Sequence, residues 1–254
     1  MSPTVFDDLA DVYEAMIDWP KRLANEAPFF RRWFEQVNAR RVVDVACGAG
    51  RHAALFHSWG LSVEAADISP QMLERARANE GQREGLHWVL RGFDQPIEPA
   101  EPFDAAVCVG NSLALAPDLA TVDRAIQRMM TAIRPDGLVI VQVLNLWRLP
   151  EGPCQWQKCQ RTKLPQGEVL IVKGVHRCGF RGYVDLVVTR LTGGVQLYGE
   201  SVPFLGLEPS PLEAFAIQAG ASQVEFFGGY QQQPYDRPNS IDLVLVAKKR
   251  PVSA

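Results

Sequence analysis

No apolar run in this 254-residue chain approaches the roughly 20 residues that cross a bilayer as a helix, so no segment reads as a membrane span. The opening stretch MSPTVFDDLADVYEAM is acidic and amphipathic. It lacks the basic and apolar regions of a secretion signal, which gives the expectation of a cytoplasmic protein. A surplus of positive charge is missing too. With 26 Lys and Arg against 29 Asp and Glu, the net charge of −3 offers nucleic acid no attracting field. Cysteine is sparse: the five, at 47, 108, 154, 159 and 178, are odd in number and show no framework spacing, which speaks for a reducing compartment. Cys154, Cys159, His176 and Cys178 form a conceivable zinc set, but no paired C-x-x-C supports it. The plainer reading is two exposed and two packed side chains in an inserted sheet. No carboxylate cluster suggests a catalytic magnesium, and no metal is expected. Internal repeats and low-complexity tracts are absent as well.

What is present is an alternation of short apolar strands and amphipathic helices. Residues 6–38 read as helical, from Phe6, Leu9, Tyr13 and Met16 at helical spacing, with Pro20 opening a second helix. Strands follow at 41–46, 61–66, 86–90, 105–109 and 138–144, and helices at 51–59, 70–79 and 118–133. Ser69 is a good N-cap and Pro70 suits a first helical position. Pro135-Asp136-Gly137 reads as a turn. This order predicts a doubly wound α/β fold, a mainly parallel sheet covered on both faces. The pattern then changes. Residues 150–167 read as a loop with a short strand, and 168–175, 181–191 and 195–205 as an antiparallel meander with turns at Cys178-Gly179 and Gly193-Gly194. A short helix from Pro211 to Gly220 and strands at 223–227 and 241–248 complete the chain. The expected organisation is a single domain: cap helices in 1–39, a cofactor-binding core in 40–149, an antiparallel insertion or lid in 150–205, and a last helix with two core strands in 206–254.

The run VVDVACGAGRHAALF, residues 42–56, carries the most chemistry. It is a buried strand, a turn with Gly48 and Gly50, and a helix start. That arrangement cradles the polar end of a nucleotide-like cofactor. The third glycine of a dinucleotide G-x-G-x-x-G falls on Ala53. Asp67, at the end of the second strand, is placed to accept hydrogen bonds from ribose hydroxyls. These two signals alone leave a nicotinamide and a nucleoside cofactor open.

Asp44, the VDVACGAGRHA turn, AADISPQMLERAR and FDAAVCVGNS together resemble the class I S-adenosylmethionine (SAM) methyltransferases. The resemblance implies a seven-stranded Rossmann-like sheet with SAM as cofactor and S-adenosylhomocysteine as its product. It further implies that Asp44, Ala46, Gly48 and Gly50 handle the methionine end, that Asp67 binds the ribose and that Ile68 belongs to the cofactor site. Phe93 and Asp94 would meet the adenine. VCVGNSLALAPD, 108–118, is similar to the glycine and sarcosine N-methyltransferases and their small-molecule relatives, which puts Gly110, Asn111 and Ser112 beside the methyl donor. Tyr13 would then face cofactor or substrate. One departure stands out: the family's carboxylate-binding Arg after the fifth strand aligns with Leu144, with Arg148 four residues on, which speaks against glycine itself.

The expected reaction is methyl transfer to a small-molecule acceptor, an amine nitrogen in first place, with Tyr13, Asn111 and His176 as candidate catalytic residues. A desolvated pocket favours the neutral amine that attacks. His176, in the inserted sheet, is a candidate to line the substrate pocket, while His52 reads as a packing or capping residue. Trp156, Phe180, Tyr183 and Phe204 are expected in the lid, and Tyr230 and Tyr235 either close its mouth or sit in a surface turn. The alternatives are a small-molecule O- or C-methyltransferase, a macromolecular acceptor, a non-enzymatic SAM-fold binding protein, and hydride transfer. The expected partners are the small-molecule acceptor, without nucleic acid or membrane; a homo-oligomer is left open.

Overall fold

The computed structural model describes residues 10–164, 167–191 and 196–251. Phe6 and Leu9 of the first helical pattern, and the Gly193-Gly194 turn, lie outside the described residues. Eleven strands are described: β1 (Arg41–Val45), β2 (Ser62–Asp67), β3 (Leu86–Leu90), β4 (Phe103–Cys108), β5 (Ile133–Leu144), β6 (Gln155–Leu164), β7 (Gly167–Cys178), β8 (Arg181–Arg190), β9 (Gln196–Leu205), β10 (Ala221–Phe227) and β11 (Asp242–Lys249). The described α-helices are α1 (Ala10–Met16), α2 (Trp19–Gln36), α3 (Arg51–Ser58), α4 (Pro70–Glu80), α5 (Leu119–Ala132) and α6 (Pro209–Gln218).

One sheet has seven strands in the order β10-β11-β5-β4-β1-β2-β3, the other four in the order β6-β7-β8-β9. In the first, β1 to β5 are parallel, and β11 runs antiparallel between β5 and β10. Because β1 neighbours both β2 and β4, the strand order reverses there. The crevice beyond the carboxyl ends of β1 and β4 is the place such sheets bind ligands. The period-2 alternation separates two cores. Val43, Val45, Ala106 and Val141 face α5 and α6, while Val42, Val107, Ile140 and Val244 face α2 and α3. The second core is aromatic, with Phe29, Phe30, Phe34 and Phe56 buried in edge-on and tilted contacts.

Local signals set most element ends. Asp18 and Ser69 cap α2 and α4 by accepting the amides of Lys21 and Met72, and Asp118 caps α5 through Thr121. Two expectations are corrected. Pro135-Asp136-Gly137 makes no turn between elements. It sits inside β5 as an irregularity between pairs Phe103–Ile133 and Ala105–Leu138, with Asp136 at φ 61°. Residues 155–164 are a full strand rather than a loop. The alternation in QWQKCQRTKL is hidden because the face turned to α1 is polar. There Lys158 Nζ donates to the Met16 carbonyl and Gln160 Nε2 to that of Ala15. Among the described residues no helix is long and apolar enough to cross a membrane.

Candidate functional site

At the end of β1 the chain turns sharply. Ala46 has φ 62°, Gly48 φ 55° and Gly50 φ 81°. For Ala46 this is a strained conformation. It is held by the Cys47 amide bonding the Ala66 carbonyl (2.9 Å) and by Asp67 Oδ2 accepting the Gly48 amide (2.8 Å). The two glycines have different jobs. A Cβ on Gly48 would meet nothing within 4 Å, so that backbone faces open space. A Cβ on Gly50 would lie 2.5 Å from the Trp88 ring, so this glycine serves close packing as it starts α3.

Asp44 lies directly beneath this turn, on the α3 side of the sheet, and is buried. Neither carboxylate oxygen has a partner at full hydrogen-bonding geometry; the Ala53 amide lies near enough to steady the charge without matching it. Burial, and then the charge of Asp67, push its pKa up to about 7. A buried carboxylate left so poorly matched calls for a cationic or donor group from outside the chain. Asp67 Oδ1 also accepts the Ser69 amide (2.9 Å), so the carboxylate both braces the turn and fixes the start of α4. Next to it Ile68 is 52% exposed, a large apolar side chain left uncovered. The Ile68 Cδ1 methyl and an Asp94 oxygen both lie 3.5 Å from where a Gly92 Cβ would stand. Asp94 also sits 3.6 Å from Arg124, and Phe93 packs its ring on the core beside it.

The second wall is the end of β4. Gly110 and Asn111 are left-handed, φ 77° and 68°. Gln142 from β5 pins them, its Oε1 accepting the amides of Gly110 (2.8 Å) and Asn111 (3.3 Å). Asn111 Oδ1 accepts the Leu144 amide (2.8 Å), and Ser112 Oγ donates to the Val109 carbonyl. The oxygen of Asn111 thus holds the turn. Around Gly110, Arg22 Nη2, Tyr13 Oη and Ser112 Oγ lie 3.6, 3.7 and 4.0 Å from an added Cβ. The cap is fastened over the cofactor turn by Glu14–Arg51 (2.6 Å) and by Asp11–Arg75, so Arg75 is a tether rather than a solvated surface charge.

Several residues here escaped sequence reading. Arg22 bonds Glu26 (2.8 Å), which meets buried His52 at 2.5 Å; burial lowers the His52 pKa despite that partner. The Arg22–Glu26 spacing of i, i+4 was a usable signal. Gln142 was legible as the one polar residue in LVIVQVL. Its Nε2 donates to Asp242 Oδ1 (2.8 Å). Burial raises the Asp242 pKa to about 6, Gln142 and Arg22 opposing it and Glu26 adding to it. Asp242 is the cross-strand partner of Leu144, so a carboxylate stands next to the position aligned with the family's Arg. Arg148 is exposed. Tyr230 is buried against Phe29 and Phe30, and its hydroxyl has no hydrogen-bond partner. Tyr235 bonds Asn145 (3.0 Å) and serves the 235–240 loop.

The structure does not bring His176 to this cluster. On β7, Val169, Ile171 and Val175 face the cores, and alternation sends His176 to the opposite face, paired with Tyr183. Of the expected lid aromatics, Phe204 is core, packed over Gly182, while Trp156 and Phe180 are 62% and 78% exposed. Two cavities, about 230 and 480 Å³, include none of the candidate cofactor or catalytic residues.

Residues 42–137 match the family model described as a methyltransferase domain. The chain carries a class I SAM-dependent methyltransferase domain. It is 33% identical over 152 residues to the glycine/sarcosine N-methyltransferase of Parasynechococcus marenigrum, covering 58% of this chain and 52% of that protein. It is 28% identical over 187 residues to human glycine N-methyltransferase, covering 65% and 63%. The chain thus spans about half the length of the first of these relatives. In fold, this methyltransferase domain is similar to the CcbJ methyltransferase of Streptomyces caelestis (TM-score 0.79, 19% identity, 98% and 100% coverage). It is also similar to SAM-bound CalS10, an amino pentose methyltransferase of Micromonospora echinaspora (TM-score 0.71, 20%, 94% and 96%). SAM is the cofactor that goes with the domain, and the residues present fit it. Asp44 offers an unmatched buried carboxylate for an ammonium, Gly48 an open backbone, and Ile68 an uncovered apolar wall.

Proposed function

We propose that the protein transfers a methyl group from SAM to the nitrogen of a small-molecule amine. The observation that carries this reading is Asp242. It is a half-buried carboxylate linked through Gln142 to the amides of Gly110 and Asn111, at the strand ends where the methyl donor would lie. When bound, SAM supplies an electrophilic methyl on a sulfonium, which a nitrogen lone pair takes as the C–S bond breaks. Asp44 and the Gly48 turn hold the methionine moiety, Asp67 the ribose, and Ile68, Phe93 and Asp94 the adenine. The Arg22 guanidinium, near Gly110, serves the cofactor carboxylate. Asp242 pairs with the acceptor's ammonium and takes its proton, leaving the neutral amine that attacks. Tyr13, with Tyr230, shapes the pocket beside Gly110, and Asn111 acts by holding its turn.

The fold-level likeness to an amino pentose methyltransferase and the identity with named N-methyltransferases support nitrogen over oxygen or carbon. We read residues 150–205 as the acceptor-selecting insertion. On its inner face Lys173 stands opposite Lys158, and its ammonium pKa is lowered by burial, then by Lys158 and Arg22. An anionic substituent on the acceptor would relieve that crowding. The test is label transfer from methyl-labelled SAM to a panel of neutral amines, amino acids, amino sugars and phenols. Methylation of an amine is expected, with acidic amines ahead of neutral ones; preference for a phenol would overturn the reading.

A further inference from the structure

On the outer face of the inserted sheet, away from the methyl-transfer site, three side chains of different chemistry converge. Cys154 Sγ, His176 Nδ1 and a carboxylate oxygen of Asp185 all lie within 4.8 Å of one another. They come from three segments: the residue preceding β6, the outer face of β7, and the outer face of β8. Register explains the meeting. Gly174 pairs with Asp185 and His176 with Tyr183, so Asp185 and His176 share a face and are diagonal neighbours. Gly174 has no side chain under the cluster, and a Cβ there would collide with Cys154 Sγ. The thiol packs into the space that this glycine leaves.

We propose that Cys154, His176 and Asp185 form a binding site for a divalent transition metal of the zinc type, with a fourth position open to water. Thiolate, imidazole and carboxylate are the three donors such ions take, with bonds of about 2.0–2.3 Å that set ligand atoms about 3.3–3.7 Å apart. The present spread brackets that separation. His176 Nδ1 and Asp185 Oδ2, now 2.6 Å apart, would open by about an ångström around the ion. The surroundings orient the donors. Tyr183 stacks on the His176 ring, with centroids 4.8 Å apart and planes at 9°. Asp185 accepts hydrogen bonds from Ser201 and from the Cys154 thiol. Partners of this kind fix ligand orientation. The His176 and Asp185 side chains keep 26% and 20% exposure, which leaves an entry path. The set differs from the one spacing suggested: Cys159 and Cys178 are exposed and outside it, and Asp185 takes their place. A bound ion would tie the segment entering the insertion to its central hairpin. Binding would release the Cys154 proton to solvent.

The site is independent of the methyl-transfer reading. The experiment titrates the reduced full chain with Co²⁺, then displaces it with Zn²⁺. One equivalent of Co²⁺ is expected to develop thiolate-to-cobalt absorption in the near ultraviolet and the visible bands of a tetrahedral ion. Cys154→Ser should abolish the thiolate band, His176→Ala should weaken binding at least tenfold, and Cys159→Ser should change neither. Saturating Zn²⁺ should raise the Tm of the wild type and not of Cys154→Ser. No thiolate band in the wild type, or one that survives Cys154→Ser, would overturn the proposal. So would a band lost with Cys159→Ser.

Discussion

Replacing Asp44 by Asn keeps the shape of a buried side chain and removes its charge. The wild-type carboxyl has its pKa raised from 3.8 to about 7 by burial and then by Asp67. Between those values the folded, cofactor-free chain keeps a proton that the unfolded chain has released. Stability therefore falls as pH climbs from about 4 to 7 and is flat above. At 1.36 kcal/mol per pH unit the loss amounts to at most about 4 kcal/mol. The substituted amide has nothing to titrate, so the gap between variant and wild type should move in the variant's favour by a few kcal/mol from pH 5 to 8. Urea melts across that range, without SAM, measure it. Cofactor binding should respond the other way. Losing a charge-assisted bond to the methionine ammonium costs about 1.5–3 kcal/mol, a ten- to hundredfold weaker Kd by calorimetry at pH 8. A pH-independent stability gap would show that the carboxyl is already matched inside the protein. Unchanged SAM affinity would remove Asp44 from the cofactor site.

Gly50→Ala should destabilise the fold by about 2 kcal/mol or more, read by urea melts, because its φ of 81° disfavours a side chain and its Cβ would strike Trp88. Gly48→Ala meets open space and should instead weaken SAM binding more than stability. Asp67→Ala removes acceptors for the Gly48 and Ser69 amides, so SAM affinity should drop about a hundredfold by calorimetry, with some loss of Tm. Asp242→Asn should lower kcat about a hundredfold with little change in SAM affinity. Asp242 must be ionised to take a proton, so wild-type kcat/KM should rise with pH through about 6, and that limb should vanish in the variant. A limb that persists would assign the titration to another group.

The turn and element ends that build the candidate cofactor site were legible because each part is local. Val42 to Gly50, Asp67 at a strand end and Ser69-Pro70 at a helix start are read from neighbours in sequence. The parallel sheet also followed from the alternation of elements, since β–α–β crossovers leave few topologies, while its seven strands came from the family resemblance. The proposed acceptor half was less legible. Gln142, Asp242 and Tyr230 come from three segments and meet only after folding. Each taken singly looks like a surface charge, a strand polar residue or a core aromatic. His176 was misjudged for a related reason: nearness in sequence to the insertion says nothing about which sheet face a side chain takes, and Val175 claims the inner one. β6 was underestimated because its inner face caps the carbonyls of Ala15 and Met16 with polar side chains instead of burying apolar ones.

The two turns at the switch point are built alike, and that bears on how the site works. Each carries a non-glycine residue in the left-handed region at the end of its strand, Ala46 after β1 and Asn111 after β4. Such a conformation persists only where the surroundings over-determine it. In each case the pin is a side chain from the neighbouring strand: Asp67 of β2 holds the Gly48 amide, and Gln142 of β5 holds those of Gly110 and Asn111. The floor of the site is thus fixed before any ligand arrives, and its reorganisation cost is low. The covering parts are held differently. Helix α1 is tethered to the cofactor turn and α4 by the partly solvated ion pairs of Asp11 and Glu14, weak one by one, while Val12, Ala15 and Met16 pack on the apolar inner face of the inserted sheet. Helix and sheet thus form one cover, and in the proposed reading cofactor and acceptor enter where that cover parts from the two turns. Disabling the Glu14–Arg51 tether should accordingly speed product release more than it alters the bond-making step.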